Sequence, residues 1–302
     1  MYTWAVHFFL LLFLPPFFLG VIAKTKACFA GRKGPPLFQV YYDLYKLWSK
    51  GVVYSRSASY VLRMAAPIIF SVILLGGLLV PVVGASPIHF EGDFILLAYL
   101  FGVGRFFTIL AAMDVGSSFE GMGAAREATF AALTELAFFL IVVSLVAMTH
   151  STSLSGMLAW AKNHFLWAPA YLILAGAFFL ILLTENSRMP IDDPTTHLEL
   201  TMIHEVMILD YSGPDLGLIL HGAAMKLFLF IALLTSLFWP PTETSFWLAL
   251  GSSVLKMTGV AILIGVVESA NARLRLIKIP QLLIANFVAT AFALVIILMG
   301  KG

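Results

Sequence analysis

Eight stretches of this chain are apolar over about the length that crosses a bilayer, roughly residues 3–23, 62–83, 94–113, 128–148, 165–184, 224–239, 245–267 and 279–299. A bilayer-spanning helix needs about 20 such residues. Inside a membrane only helices and closed barrels satisfy every backbone polar group, and runs this long, without strand-like alternation, point to helices. The expectation is an all-α, polytopic membrane protein of about eight transmembrane helices. Its 302 residues leave no room for a soluble domain, so 1–302 reads as one integral membrane domain. Composition agrees: 61% of residues are hydrophobic, 11% are charged and the mean hydropathy is +0.97, which a water-facing surface does not tolerate.

The charges that remain set the topology. No Lys or Arg precedes the first run, whereas Lys24, Lys26, Arg32 and Lys33 follow it at once. That pattern describes a retained helix with its N-terminus outside rather than a cleaved leader. With this orientation the inside loops hold Lys46, Lys50, Arg56, Arg126, Arg188, Arg273, Arg275 and Lys278 as well, and the outside receives Lys162 and Lys301. The positive-inside bias is strong, and it places the acidic loop 185–222 on the cytoplasmic side. Between the first two runs, residues 37–50 carry Leu37, Val40, Tyr41, Leu44, Tyr45 and Trp48 on one arc, opposite Gln39, Asp43, Lys46 and Lys50. This predicts a helix lying in the interface, started afresh after Gly34-Pro35-Pro36.

Several function classes fall away. A net charge of +2 without basic runs interleaved with aromatics gives no nucleic-acid surface. Cys28 is the single cysteine, so no disulfide framework, thiolate zinc or Cys-ligated iron–sulfur cluster can be built from this chain alone. His197 and His204 are the one histidine pair at a suggestive spacing, too few ligands for a metal centre. No internal repeat is visible, which weighs against a stand-alone ion transporter built from inverted halves.

Ionisable groups within apolar runs are costly, about 3 kcal/mol or more each, and mark ion or proton paths. Arg105, Glu135 and Lys256 lie inside runs, and Glu268 near the end of one. The segment from Asp114 to Glu127 is rich in small residues, with Gly116, Gly121 and Gly123 suited to tight turns and Arg126-Glu127 placed to cap or pair at the start of the fourth span. The densest polar tract runs from Glu185 to Asp215. It sets Asp192, Asp193, Glu199, Glu205 and Asp210 beside Arg188, and its prolines at 190 and 194 force extended backbone before Thr195 or Thr196 caps a helix carrying His197, Glu199, His204 and Glu205. Carboxylates grouped at low dielectric raise one another's proton affinity and exchange protons near neutral pH.

These motifs, Arg32-Lys33-Gly34-Pro35-Pro36 with Gln39, Asp43 and Lys46, Arg105-Phe106-Phe107, the 114–127 segment, Pro190 to Glu205 and Tyr211-Ser212-Gly213-Pro214, resemble the membrane anchor subunit of energy-converting (group 4) nickel–iron hydrogenases and formate hydrogenlyases. That anchor is similar in turn to the quinone-chamber subunit of respiratory complex I. The resemblance covers nearly the whole chain. It implies a joint between a cytoplasmic redox arm and antiporter-like membrane subunits in a prokaryotic cytoplasmic membrane. The expected partners are hydrogenase-like large and small subunits, an iron–sulfur subunit and the bilayer, and the NiFe centre and iron–sulfur clusters would sit in those partners, with no cofactor in this chain.

By position, Glu135, Glu185, Asp192, Glu199, Glu205, Asp210 and Lys256 are the proton-pathway candidates. Arg105, Asp114, Arg126, Glu127, Arg188, Asp193, His197 and His204 are the positioning candidates, Arg188 holding the acidic loop by charge-assisted hydrogen bonds. His197 stands where complex I carries a further glutamate, and about three extra residues separate Glu199 from Tyr211, so a quinone site is not carried over. Val115 and Glu120 differ from the hydrogenase pattern. The quinone-chamber subunit of a complex I-type NADH dehydrogenase and a stand-alone transporter remain the alternatives.

Overall fold

The computed structural model describes residues 2–84, 86–163, 169–192, 202–240 and 245–300, and among these every regular element is a helix. They are α1 (Tyr2–Phe13), α2 (Pro15–Phe29), α3 (Gln39–Trp48), α4 (Tyr60–Leu79), α5 (Asp93–Asp114), α6 (Ser118–Thr149), α7 (Leu154–Asn163), α8 (Pro169–Glu185), a 3₁₀ turn (Glu205–Ile208), α9 (Gly213–Phe238), α10 (Phe246–Ala270) and α11 (Lys278–Met299). Six helices are long and apolar enough to cross a membrane, and α1 with α2, bent by 43°, makes up to seven. The expected eighth span is α8, apolar but only 17 residues long. Because the spans alternate in direction, α2, α5, α8 and α10 finish and α4, α6, α9 and α11 begin at one end of the bundle, here called the loop end.

The bend has a chemical origin and a chemical repair. Pro15 and Pro16 have no N–H, so the carbonyls of Leu11 and Leu12 lose their helical donors. His221 Nε2 donates to the Leu12 carbonyl at 2.9 Å, and the Tyr41 hydroxyl donates to that of Phe13. The same device closes α4, where Pro81 cannot serve the Gly77 carbonyl and His7 Nε2 takes it at 2.9 Å. Backbone groups freed within apolar surroundings must find such partners.

The helix α9 is the axis of the molecule. From Leu227 to Phe238 it is buried on all sides, as an all-round apolar helix must be. Around it lie α2, α3, α4, α8 and α10. At its start Gly213, with φ +54°, approaches Gly51 so closely that a Cβ would fall 2.5 Å from the Gly51 carbonyl oxygen. A strap over 51–59 fastens there: the Ser212 hydroxyl bonds Val53 N and O at 2.9 Å each, Tyr54 donates to Asp215 at 2.7 Å, and Ser59 N reaches Asp114 at 2.7 Å. At the opposite end buried Asp93 caps α7 through Leu154 N at 2.7 Å.

Two boundaries and one helix face differ from expectation. The acidic loop, expected to run to 222, ends earlier, because Gly213-Pro214 starts α9 eleven residues before the apolar run proper and Pro is well suited to a first helical turn. The segment 114–127 is a turn only at Val115-Gly116-Ser117, with Gly116 at φ +74°, and Gly121, Gly123, Arg126 and Glu127 lie inside α6. On α3 the predicted arc is partly wrong. Leu44 is its one buried residue and Tyr45 is 75% exposed, since the inward arc is centred on Val40, Leu44 and Leu47 and Tyr45 falls about 100° away from Leu44. Trp48 does reach inward to stack on His221, seated where a Cβ on Gly217 would come within 2.8 Å of its ring.

Candidate functional site

Arg105 on α5 is the hub. Its guanidinium meets three carboxylates from two other helices: Glu127 on α6 at 3.4 Å from Nε, Glu135 on α6 at Nη1 and Glu185 at the end of α8 at Nη2. The planar, five-donor fork of arginine is well suited to holding three acids at once, and it stays charged while doing so. Lys226, in the middle of α9, adds a second cation, 2.8 Å from Glu185 Oε2 and 2.9 Å from the Glu185 carbonyl oxygen.

From this hub the chain of charges runs to the loop end. Glu127 Oε2 lies 3.4 Å from His204 Nε2, and Asp192 Oδ2 lies 3.9 Å from His204 Nδ1. Asp192 also accepts the Ile203 and His204 amides at 3.2 Å each and pairs with Arg273 at 2.8 Å. Glu135, Arg105, Glu127, His204, Asp192 and Arg273 thus form one connected series, with Glu185 and Lys226 as a branch. Around the hub two cations face three carboxylates, and an imidazolium at His204 cancels the remaining charge. Burial works against that cation, but the Glu127 and then the Asp192 carboxylate outweigh it, holding His204 above its ordinary pKa.

A cavity of about 460 Å³ opens beside the hub, between α5, α6, α8 and α9. Tyr99, Val103, Phe106, Phe139 and Phe230 give it apolar walls, while Arg105, Glu135 and Glu185 also line it. The Glu135 side chain is 46% exposed there. An ionised carboxylate turned to lipid at this depth would cost about 3 kcal/mol or more.

The remaining candidates fall elsewhere. Arg126 donates to the Met202 carbonyl at 3.0 Å, and Asp114 accepts the Ser59 amide at the start of α4. Arg188 pairs at 3.4 Å with Glu268 of α10, which also meets Lys26 at 3.0 Å, so among the described residues it ties the loop to α10. Lys256 stands apart from the network. Its ammonium donates to the Pro240 carbonyl at 3.0 Å and lies over the Trp239 ring, toward the end of the bundle opposite Glu185. Asp210 also stands outside the series; its amide donates to Glu120 at 3.1 Å. Glu205 opens the 3₁₀ turn; the helix expected from Thr195 or Thr196 onward falls largely outside the described residues, and among those described this turn is its one regular part. Asp193, His197 and Glu199 lie outside the described residues. Sequence reasoning misses Lys226 and Arg273 as members of the site. The lysine does carry a signal in the sequence, an ammonium inside the apolar run 224–239.

Among known proteins, the NADH dehydrogenase family profile matches residues 2–299. Hydrogenase-4 component C of Escherichia coli is 32% identical over 96% of this chain and 94% of its own length. Formate hydrogenlyase subunit 4 of the same organism is 29% identical over 90% of each chain. An NADH-quinone oxidoreductase subunit of Rickettsia prowazekii is 26% identical over 71% of this chain and 66% of its own. A chain in the structure of membrane-bound sulfane sulfur reductase, an archaeal respiratory membrane complex, superposes with a TM-score of 0.88 over 97% of both chains at 18% identity, a likeness of fold.

Proposed function

The chain belongs to the NADH dehydrogenase family as a membrane-embedded subunit of a respiratory complex, and from that premise we propose that it is the anchor and proton-pathway subunit of a hydrogenase-type assembly. The observation that carries this reading is the unbroken series of ion pairs from Glu135, beside the mid-bundle cavity, to Asp192 and Arg273 at the loop end. Arg105 does not titrate, so it fixes the field in which Glu127, Glu135 and Glu185 hold or give up protons. His204 is the exchangeable cation nearest the loop end. A change of charge in a redox arm docked there would alter the balance at Asp192 and His204, and the shift would pass through Glu127 to Glu135.

The partners in this reading are hydrogenase-like large and small subunits and an iron–sulfur subunit at the loop end, which faces the cytoplasm with the N-terminus outside. An antiporter-like membrane subunit would cover the cavity and relieve the cost of an open Glu135 carboxylate. The NiFe centre and clusters belong to the partner subunits.

The test is proton movement in inverted vesicles measured beside redox activity with an artificial acceptor, which bypasses coupling. Glu135→Gln keeps shape and one hydrogen-bond acceptor but carries no titrating proton. It should lower the protons moved per electron and leave redox activity in place, whereas Lys256→Met, outside the network, should leave both intact. An unchanged proton yield in Glu135→Gln would leave anchoring alone as the role of this chain.

A further inference from the structure

One buried carboxyl has no place in this network. Glu120 is 1% exposed, its Oε1 accepts only the Asp210 amide at 3.1 Å, and its Oε2 has no partner among the described residues. Buried Glu127, Glu185, Asp192 and Glu268 each face a cation, and buried Asp93 has two donors, Leu154 N and the Ser153 hydroxyl. Glu120 has neither.

Its position on α6 gives the carboxyl a task. Glu120, Gly123, Ala124 and Glu127 recur at i, i+3, i+4 and i+7, so they form one stripe on one face of the helix. The 3₁₀ turn lies across that stripe. A Cβ on Gly123 would fall 2.3 Å from Val206 Cγ1 and 2.9 Å from the Ile203 carbonyl oxygen, so glycine is what lets the turn sit on the helix. Val206, Met207 and Met202 close with Ala112 and Ala124 into a small apolar core separate from the main one. The turn is then pinned at both ends by carboxyls of α6, Glu127 holding His204 and Glu120 holding the Asp210 amide. The first half of the turn is fastened further, by Arg126 at the Met202 carbonyl and by Asp192 at the Ile203 and His204 amides. It is therefore the Asp210 end, met by Glu120 at its amide, that can loosen without the rest of the fold.

We propose that Glu120 is a further proton-binding site, and that the proton it holds keeps the 202–210 turn seated on α6. Seating strips water from a carboxyl that gains no cation in return, so the seated turn favours the neutral acid. By linkage the neutral acid favours the seated turn to the same degree. The Asp210 amide, as a donor, favours the carboxylate and works against this, but the loss of water is the larger effect and the negative charge nearby adds to it. Asp210 and Tyr211 approach it from the turn, where Asp210 adds negative charge, and Asp114 at the end of α5 is occupied by the Ser59 and Leu62 amides. Release of the proton loosens the Asp210 end of the turn and, with it, the hold of Glu127 on His204. This deepens the proton-pathway reading by giving the loop end a movable part, and only its consequence for coupling rests on that reading.

The test needs no turnover. Hydrogen exchange of peptides covering 203–211 is followed in the assembled wild-type complex from mildly acid to mildly alkaline buffer, corrected for the intrinsic pH dependence of exchange. Protection should fall as pH rises. In Glu120→Gln the fall should shrink to the share set by His204, and Glu120→Asp, which keeps an acid at the site, should retain it. Infrared difference spectra should show a titrating protonated-carboxyl band in the wild type that Glu120→Gln lacks. The same corrected exchange profile in wild type and Glu120→Gln would overturn the proposal, as would an infrared band that survives the substitution. Neither result touches the Glu135 experiment, so the two readings fail separately.

Discussion

Arg105 shows how one residue can organise a site while taking no part in proton exchange. Replacing it with methionine leaves Glu127, Glu135 and Glu185 grouped without the charge that offsets them, and breaking such a buried set costs about 3–5 kcal/mol. Arg105→Met should therefore lower the yield and thermal midpoint of the assembled complex, a loss that an added Glu127→Gln should partly recover. His204 makes a pH-dependent contribution. Its pKa in the folded chain is raised, so the stability it supplies is complete below the ordinary histidine range and is lost as pH rises through the raised value. The thermal midpoint of His204→Gln should thus drop most in acid buffer and converge on wild type in alkaline buffer, and an equal drop at every pH would show that His204 is not an imidazolium. At this scale the sequence is informative wherever a charge interrupts an apolar run or a motif, as with Arg105, Glu135, Glu185 and His204. Glu120 is visible there only as a departure from a pattern, because its isolation depends on which residues fail to come near it.

At the scale of elements, helix existence is legible from apolar length, while helix ends are not. A stretch such as 118–127 is polar enough to read as a loop, yet it continues α6 because its stripe of Glu120, Gly123, Ala124 and Glu127 is covered by a turn some eighty residues further on. Tertiary contact of that kind leaves no periodicity to detect. It does make Gly123 a sensitive position. Gly123→Val would drive a side chain into Val206 and the Ile203 carbonyl, an overpacking worth about 1–3 kcal/mol, enough to lift the turn. Limited proteolysis should then cut within 202–210 while the spans stay protected, and an unchanged cleavage pattern would mean that the turn can shift without leaving the helix. The interfacial helix illustrates a subtler limit. Its existence and most of its inner arc follow from spacing, but which tyrosine faces out depends on a rotation of about one residue.

Across the whole molecule, the alternation of helix ends gathers Lys26, Arg188, Glu268, Asp192, Arg273 and His204 at one end and leaves Asp93, α7 and Lys256 toward the other. In the orientation proposed above, the first of these ends faces the cytoplasm. A cysteine introduced at Ser187 should accordingly react with a membrane-impermeant reagent in inverted vesicles and not in intact cells, and labelling from the periplasmic side alone would reverse the orientation. The enclosure of α9 carries a consequence for how such a chain is made. The helix brings Lys226 and His221 into the membrane, yet their partners, Glu185 and the Leu12 carbonyl, lie earlier in the sequence, as do those of Ser212 and Asp215 in the 51–59 strap. A nascent chain leaving the translocation channel thus already holds a groove with acceptors in place when α9 emerges, and the lysine need never wait in lipid for helices still on the ribosome.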